Sequence, residues 1–155
     1  MAKTMRMSPF MSEASIDDAV AAIADDFSLF GDWEERYAHI VDLAKTLPPL
    51  AEEERTEANK VRGCASQVWL VTETHDDAPG LLFFRGESDA HLVRGLIAIL
   101  LRVFSGRAPA EIVAADPRAI FERLGLQDAL TQQRSNGLFS MMQRMRRDAE
   151  ASLQA

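Results

Sequence analysis

Leu92, Val93, Leu96, Ile97, Leu100, Leu101 and Phe104 follow one another at helical spacing with few polar residues between them. A helix that is apolar around most of its girth is stable only when other elements wrap it. The segment therefore predicts a central core helix, capped by Asp89 and ended by Gly106. The rest of the chain must supply the wrapping. With 155 residues, 47% of them apolar, a single domain can bury about 70% of the surface its unfolded chain exposes.

Gln67 to Thr74 is rich in Val, Trp and Thr, which suit a pleated sheet; His75 to Gly80 reads as a turn and Leu81 to Glu87 as a returning strand. A lone hairpin is marginal in water and must pack on helices. Ser15 can cap a helix whose buried face is Ile16, Val20, Ile23 and Phe27. Asp32 can cap a second, with Trp33, Tyr37, Ile40, Val41 and Ala44 as its buried stripe and Pro48-Pro49 as its stop. The acidic run from Ala51 to Asn59 reads as an exposed connection or short helix, for which solvation is a sufficient explanation. Pro109 to Ala115 predicts a short helix, and Asp116-Pro117 begins another that ends at Gly125.

The last helix is expected from Thr131 past Met145. Its stripe of Leu138, Met141, Met142 and Met145 either joins the core or faces a partner, and Arg144, Arg146 and Arg147 near its end complement the helix dipole. Residues 1–14 lack periodicity and read as a flexible tail, leaving 15–155 as one domain. Helices around a small antiparallel sheet place the chain in the α+β class.

The formal net charge of -7 argues against nucleic-acid binding, which needs clustered cations. The charge is uneven: residues 1–77 carry 7 basic and 16 acidic side chains, residues 78–155 carry 10 and 8. Such asymmetry can steer a basic partner, although a solvated surface is its commoner cause. No apolar run approaches the ~18 residues of a membrane span, and Met1 to Ser12 lacks the apolar core of a secretory signal, so a cytoplasmic location without membrane attachment is expected.

Cys64 is the chain's single cysteine, which excludes an internal disulfide, a Cys-X-X-Cys redox pair and a four-cysteine zinc site. In a reducing compartment a lone thiol stays free, either as a small buried hydrophobe or as a nucleophile. Lys60 and Arg62 are close enough in sequence to favour a thiolate, and Gly63 gives the backbone freedom, so the segment describes a mobile loop holding a semi-exposed thiol. A cysteine hydrolase would need a histidine base. His39 lies mid-helix, His75 in a polar turn and His91 in a first helical turn, where ordinary surface or capping use is more common than catalysis. Neither metal-ligand spacing nor a phosphate loop is present. Elimination leaves thiol exchange with sulfur supplied from elsewhere, a reaction for which one cysteine suffices.

The segment Gly63-Cys64-Ala65-Ser66-Gln67-Val68-Trp69 resembles the Gly-Cys-X-Ser-Gln-Val-Trp motif around the acceptor cysteine of the SufE-like sulfur acceptors. Further matches follow in the family's order: Asp32-Trp33-Glu34-Glu35-Arg36-Tyr37, Leu47-Pro48, Ser88-Asp89-Ala90 with Val93 and Gly95, and Leu130-Thr131 with Arg134-Ser135 and Gly137-Leu138. Asp32 stands where the family usually has Asn, and the N-terminal tail is longer than the family's.

The resemblance implies a fold like that of the U-type cluster scaffolds, with a sheet of about three antiparallel strands and the cysteine on a loop tip over an apolar cavity. It further implies that Cys64 takes sulfane sulfur from a cysteine desulfurase, stimulates that enzyme and relays sulfur to an iron-sulfur scaffold complex. Pyridoxal phosphate would belong to the desulfurase, and the chain itself would carry no cofactor or metal. Arg62, Gly63, Ser66, Gln67 and Trp69 become supporting loop residues, Asp89 and Arg134 partner contacts, and a homodimer is conceivable. Two alternatives stand beside this reading: a cluster scaffold, for which one cysteine supplies too few ligands, and a thiol enzyme acting alone.

Overall fold

The computed structural model describes residues 13–155. Its helices are α1 (Ile16–Ser28), α2 (Trp33–Leu43), α3 (His91–Phe104), α4 (Pro109–Ala114), α5 (Pro117–Leu124) and α6 (Gln132–Gln154); its strands are β1 (Val68–Glu73) and β2 (Phe83–Ser88). As the apolar run predicts, α3 is the core: of its residues only His91, Arg94 and Arg102 escape burial. The hairpin, α1, α2 and α6 all pack on it. Two glycines set the spacing. A Cβ on Gly95 would overlap the Ile40 carbonyl, so α2 and α3 touch backbone to backbone, and a Cβ on Gly86 would lie 2.9 Å from both Ile97 Cγ2 and Leu70 Cδ2, between hairpin and helix.

The cap of α3 differs from expectation. The helix begins one residue later than an Asp89 cap requires, so Ala90 is the N-cap and contributes no side-chain hydrogen bond. Asp89 turns instead to a loop amide, as described below. Ser15, Asp32 and Asp116 do cap α1, α2 and α5.

Among the described residues the sheet has two strands rather than about three. They pair antiparallel from Val68↔Ser88 to Glu73↔Phe83. The place of a third strand is held by one residue, Lys60, bridged to Trp69, with Val61 N–H donating to the Val68 carbonyl and Leu70 N–H to that of Asn59, each at 2.8 Å. Pairing stops there because the acidic residues before Lys60 coil into turns and those after Val61 leave the sheet to form the cysteine loop.

The stripe of α2 is only half buried. Ile40 and Ala44 are in the core, but Trp33 is 53% and Tyr37 39% exposed, so the stripe reaches the core only at its C-terminal end. The acidic run is more than solvated surface: Glu54 pairs with Arg85, which also reaches Glu73. Leu138, Met141, Met142 and Met145 join the core. The arginines of α6 lie mid-helix, because the helix continues to Gln154 and has no basic residue in its last turn. Arg144 donates to the carbonyls of Ala58 (2.9 Å) and Lys60 (3.2 Å), and Arg146 to that of Val113 (3.0 Å).

Residues 1–12 of the expected tail lie outside the described residues. The Glu13 carboxylate accepts from Arg102 at 2.7 Å and its carbonyl from Arg107 at 2.8 Å. No helix among the described residues is long and apolar enough to cross a membrane.

Candidate functional site

Six residues, Arg62 to Gln67, bulge from a base closed by the Val61–Val68 hydrogen bond. Arg144 pins the chain entering this loop, and β1 carries the chain leaving it, so the loop springs from two fixed points. Gly63 makes the turn with φ at 90°, a left-handed conformation that side chains disfavour, and a Cβ there would overlap Ser140 Oγ of α6. The loop is thereby pressed against α6.

Cys64 is half-buried behind that turn. Its Sγ lies 3.6 Å from the Gly137 carbonyl, to which the thiol can donate. A Cβ on Gly137 would lie 3.6 Å from Sγ, an ordinary contact distance, so the thiol sits close against α6 at this glycine. Burial pushes the Cys64 pKa up. This corrects the expectation that Lys60 and Arg62 favour a thiolate: Arg62 turns outward to Glu57 at 2.9 Å, and desolvation decides the matter. At rest the group is a neutral thiol.

Behind Cys64 lies a cavity of about 10 Å³, room for roughly one water-sized atom. Its walls are Ala65 and Ser66 from the loop, Val93 and Leu96 from α3, and Gln133, Arg134, Gly137 and Met141 from α6. Nη1 of Arg134 is buried and has no hydrogen-bond partner among the described residues. The far limb of the loop is held by Gln67 N–H donating to Asp89 Oδ1 at 3.1 Å. Trp69, the last of the expected loop residues, is half-buried in β1 opposite Glu87.

The structure thus brings Cys64, Ser66 and Arg134 around one cavity, sets Gly63, Gln67 and Asp89 in the frame of the loop, and directs Arg62 away. Gly137, Ser140 and Arg144 were not foreseen as parts of the site. Small residues at 135, 137 and 140 in the otherwise bulky first half of α6 were the available signal for a close approach. Among the described residues no histidine lines the cavity: His39 packs on Phe27 and Phe30, and His75 stacks on Phe83 beside Glu73. A larger cavity of about 460 Å³ opens between Pro48, Phe83, Phe84 and Leu101, away from the thiol. Among the described residues no three His, Cys, Asp or Glu side chains converge to hold a metal ion.

The site is thus a loop-borne thiol over a one-atom cavity that, among the described residues, no histidine lines. Residues 21–149 match the SufE family, described as an Fe-S metabolism associated domain, and the chain belongs to that family. It is 52% identical over 138 residues to an uncharacterized SufE-like protein of Rhizobium etli, covering 88% of this chain and 90% of that one. A second uncharacterized SufE-like protein, from Rhizobium meliloti, is 52% identical over 134 residues, 86% of this chain and 96% of the other. In fold it is similar to the solution structure of a hypothetical protein from Thermus thermophilus, with a TM-score of 0.72 at 17% identity over 88% of this chain and 97% of that one.

Proposed function

We propose that this protein is a sulfur acceptor in which Cys64 takes sulfane sulfur from the persulfide of a cysteine desulfurase, stimulates that enzyme's turnover and relays sulfur to an iron-sulfur scaffold complex. The observation that carries the reading is the position of the thiol: at the tip of a loop sprung from a fixed base, resting over a cavity with room for one atom. Membership of a family of Fe-S metabolism supports it.

The chemistry balances without a base in this chain. Cys64 sulfur attacks the outer sulfur of the donor persulfide; a new S–S bond forms, the donor's S–S bond breaks, and its electron pair leaves with the donor cysteine. The proton lost by Cys64 matches the one the donor thiolate gains, and nothing is oxidised or reduced overall. Because burial disfavours the thiolate while the loop rests on α6, the loop in this reading swings out to react. Ionisation is then coupled to entry into the partner's site, which suits a thiol meant to react with one donor. Pyridoxal phosphate acts in the desulfurase, and this chain works in the cytoplasm without a cofactor of its own.

The test is direct. Incubation with a cognate desulfurase and cysteine should add one sulfur to the wild type and none to Cys64→Ser, as read by intact mass, with stimulation of the desulfurase lost in the variant. Full stimulation by Cys64→Ser would overturn the mechanism.

A further inference from the structure

We propose that Arg134 holds the sulfur-loaded form of Cys64: the terminal sulfur of a Cys64 perthiolate fills the cavity behind the loop and takes Nη1 of Arg134 as its hydrogen-bond donor. The inference rests on the sulfur-acceptor reading of Cys64.

Buried donors without an acceptor are rare in folded proteins, and each calls for an explanation. Arg134 lines the cavity, and its Nη1 is such a donor. The cavity has room for roughly one atom, and persulfide formation lengthens the cysteine side chain by one. The two vacant roles match, one of space and one of hydrogen bonding. The unloaded thiol meets the Gly137 carbonyl, an acceptor that a proton-bearing sulfur can satisfy. A perthiolate has no proton to give, so that carbonyl repels it and a donor must replace it. The Arg134 guanidinium has donors and no acceptor, and supplies one.

The charges around the cavity single out the same residue. Among the described residues of the cavity wall Arg134 is the one ionic side chain besides the thiol itself; Val93, Leu96 and Met141 are apolar, and Ser66 and Gln133 neutral. Of the charges nearest in the loop, Arg62 is paired with Glu57, Lys60 sits at the base, and the Asp89 carboxylate receives Gln67 N–H on the exposed side. An anion inside therefore has one cation among the lining side chains to face.

The experiment loads the full chain with inorganic polysulfide, without any desulfurase, and confirms one retained sulfur by intact mass. The near-ultraviolet absorbance of the perthiolate is then titrated against pH in wild type, Arg134→Gln and Arg134→Lys. Loss of the cation should make ionisation of the persulfide about tenfold less favourable in Arg134→Gln, and about threefold less in Arg134→Lys, which keeps the charge but not the planar fork. A merely structural role for Arg134 would not move this titration. A wild-type midpoint in either variant, or failure of the wild type to retain sulfur, overturns the proposal. A desulfurase that donates no sulfur would instead sink the function proposed above and leave this titration interpretable.

Discussion

The backbone N–H of Gln67 donates to Oδ1 of Asp89 at 3.1 Å, tying the far limb of the Cys64 loop to the entrance of α3. Asp89 is exposed, so water competes for this bond and its net worth is about 1 kcal/mol. Asp89→Ala should therefore raise the alkylation rate of Cys64 by roughly two- to tenfold, while Asp89→Asn, which keeps Oδ1, should stay near wild type. Stopped-time alkylation followed by mass measures this. Equal rates in wild type and Asp89→Ala would show that loop closure is independent of the carboxylate.

Gly63 meets two constraints at once, a positive φ and contact with Ser140. Gly63→Ala should cost about 1–3 kcal/mol in urea unfolding. Adding Ser140→Gly relieves the overlap but not the backbone cost, so the double variant should recover only part of the loss. A fully stable Gly63→Ala would contradict the turn geometry described above.

The raised pKa of Cys64 has a definite sign in stability. The folded protein retains the thiol proton where the unfolded chain, near the ordinary value of 9.0, has begun to lose it. The contribution is thus complete below that value and declines as pH rises through it. Wild type should lose more stability than Cys64→Ser across this alkaline range, as measured by paired denaturation curves. Parallel losses would indicate a thiol that titrates normally.

Glu54 gives the opposite case. Its hydrogen bonds from Arg85 and from the Ala51 amide hold its pKa down at about 2, against an ordinary 4.5. The stabilisation is present above the ordinary value and lost as pH falls toward the lower one. Glu54→Gln should accordingly show a flatter decline in Tm on acidification over that interval than wild type. An unchanged slope would mean that the Glu54–Arg85 pair does not persist in solution.

Much of the fold was readable locally. The core helix, the hairpin and the caps Ser15, Asp32 and Asp116 follow from periodicity and from residues within one turn of each other. Where the reading missed, a distant segment had intervened. Trp33 and Tyr37 keep helical spacing with Ile40 yet stay exposed, because Gly95 brings α3 against only the later part of α2. Asp89 has the chemistry of a cap, but a loop amide 22 residues earlier takes its carboxylate. A third strand fails because the residues flanking Lys60 are needed for turns and for the loop.

At the site the same division holds. The order of residues alone marked Cys64 as the single candidate nucleophile and Gly63 as its turn, since both follow from residue type. It could not tell that the thiol is neutral at rest, that it lies on Gly137, or that Arg134 has an unpaired donor beside it. Those properties arise between positions some 70 residues apart, where α6 removes water from the loop. Desolvation and unsatisfied hydrogen bonds belong to the packed interior, and only the tertiary structure determines which groups share it.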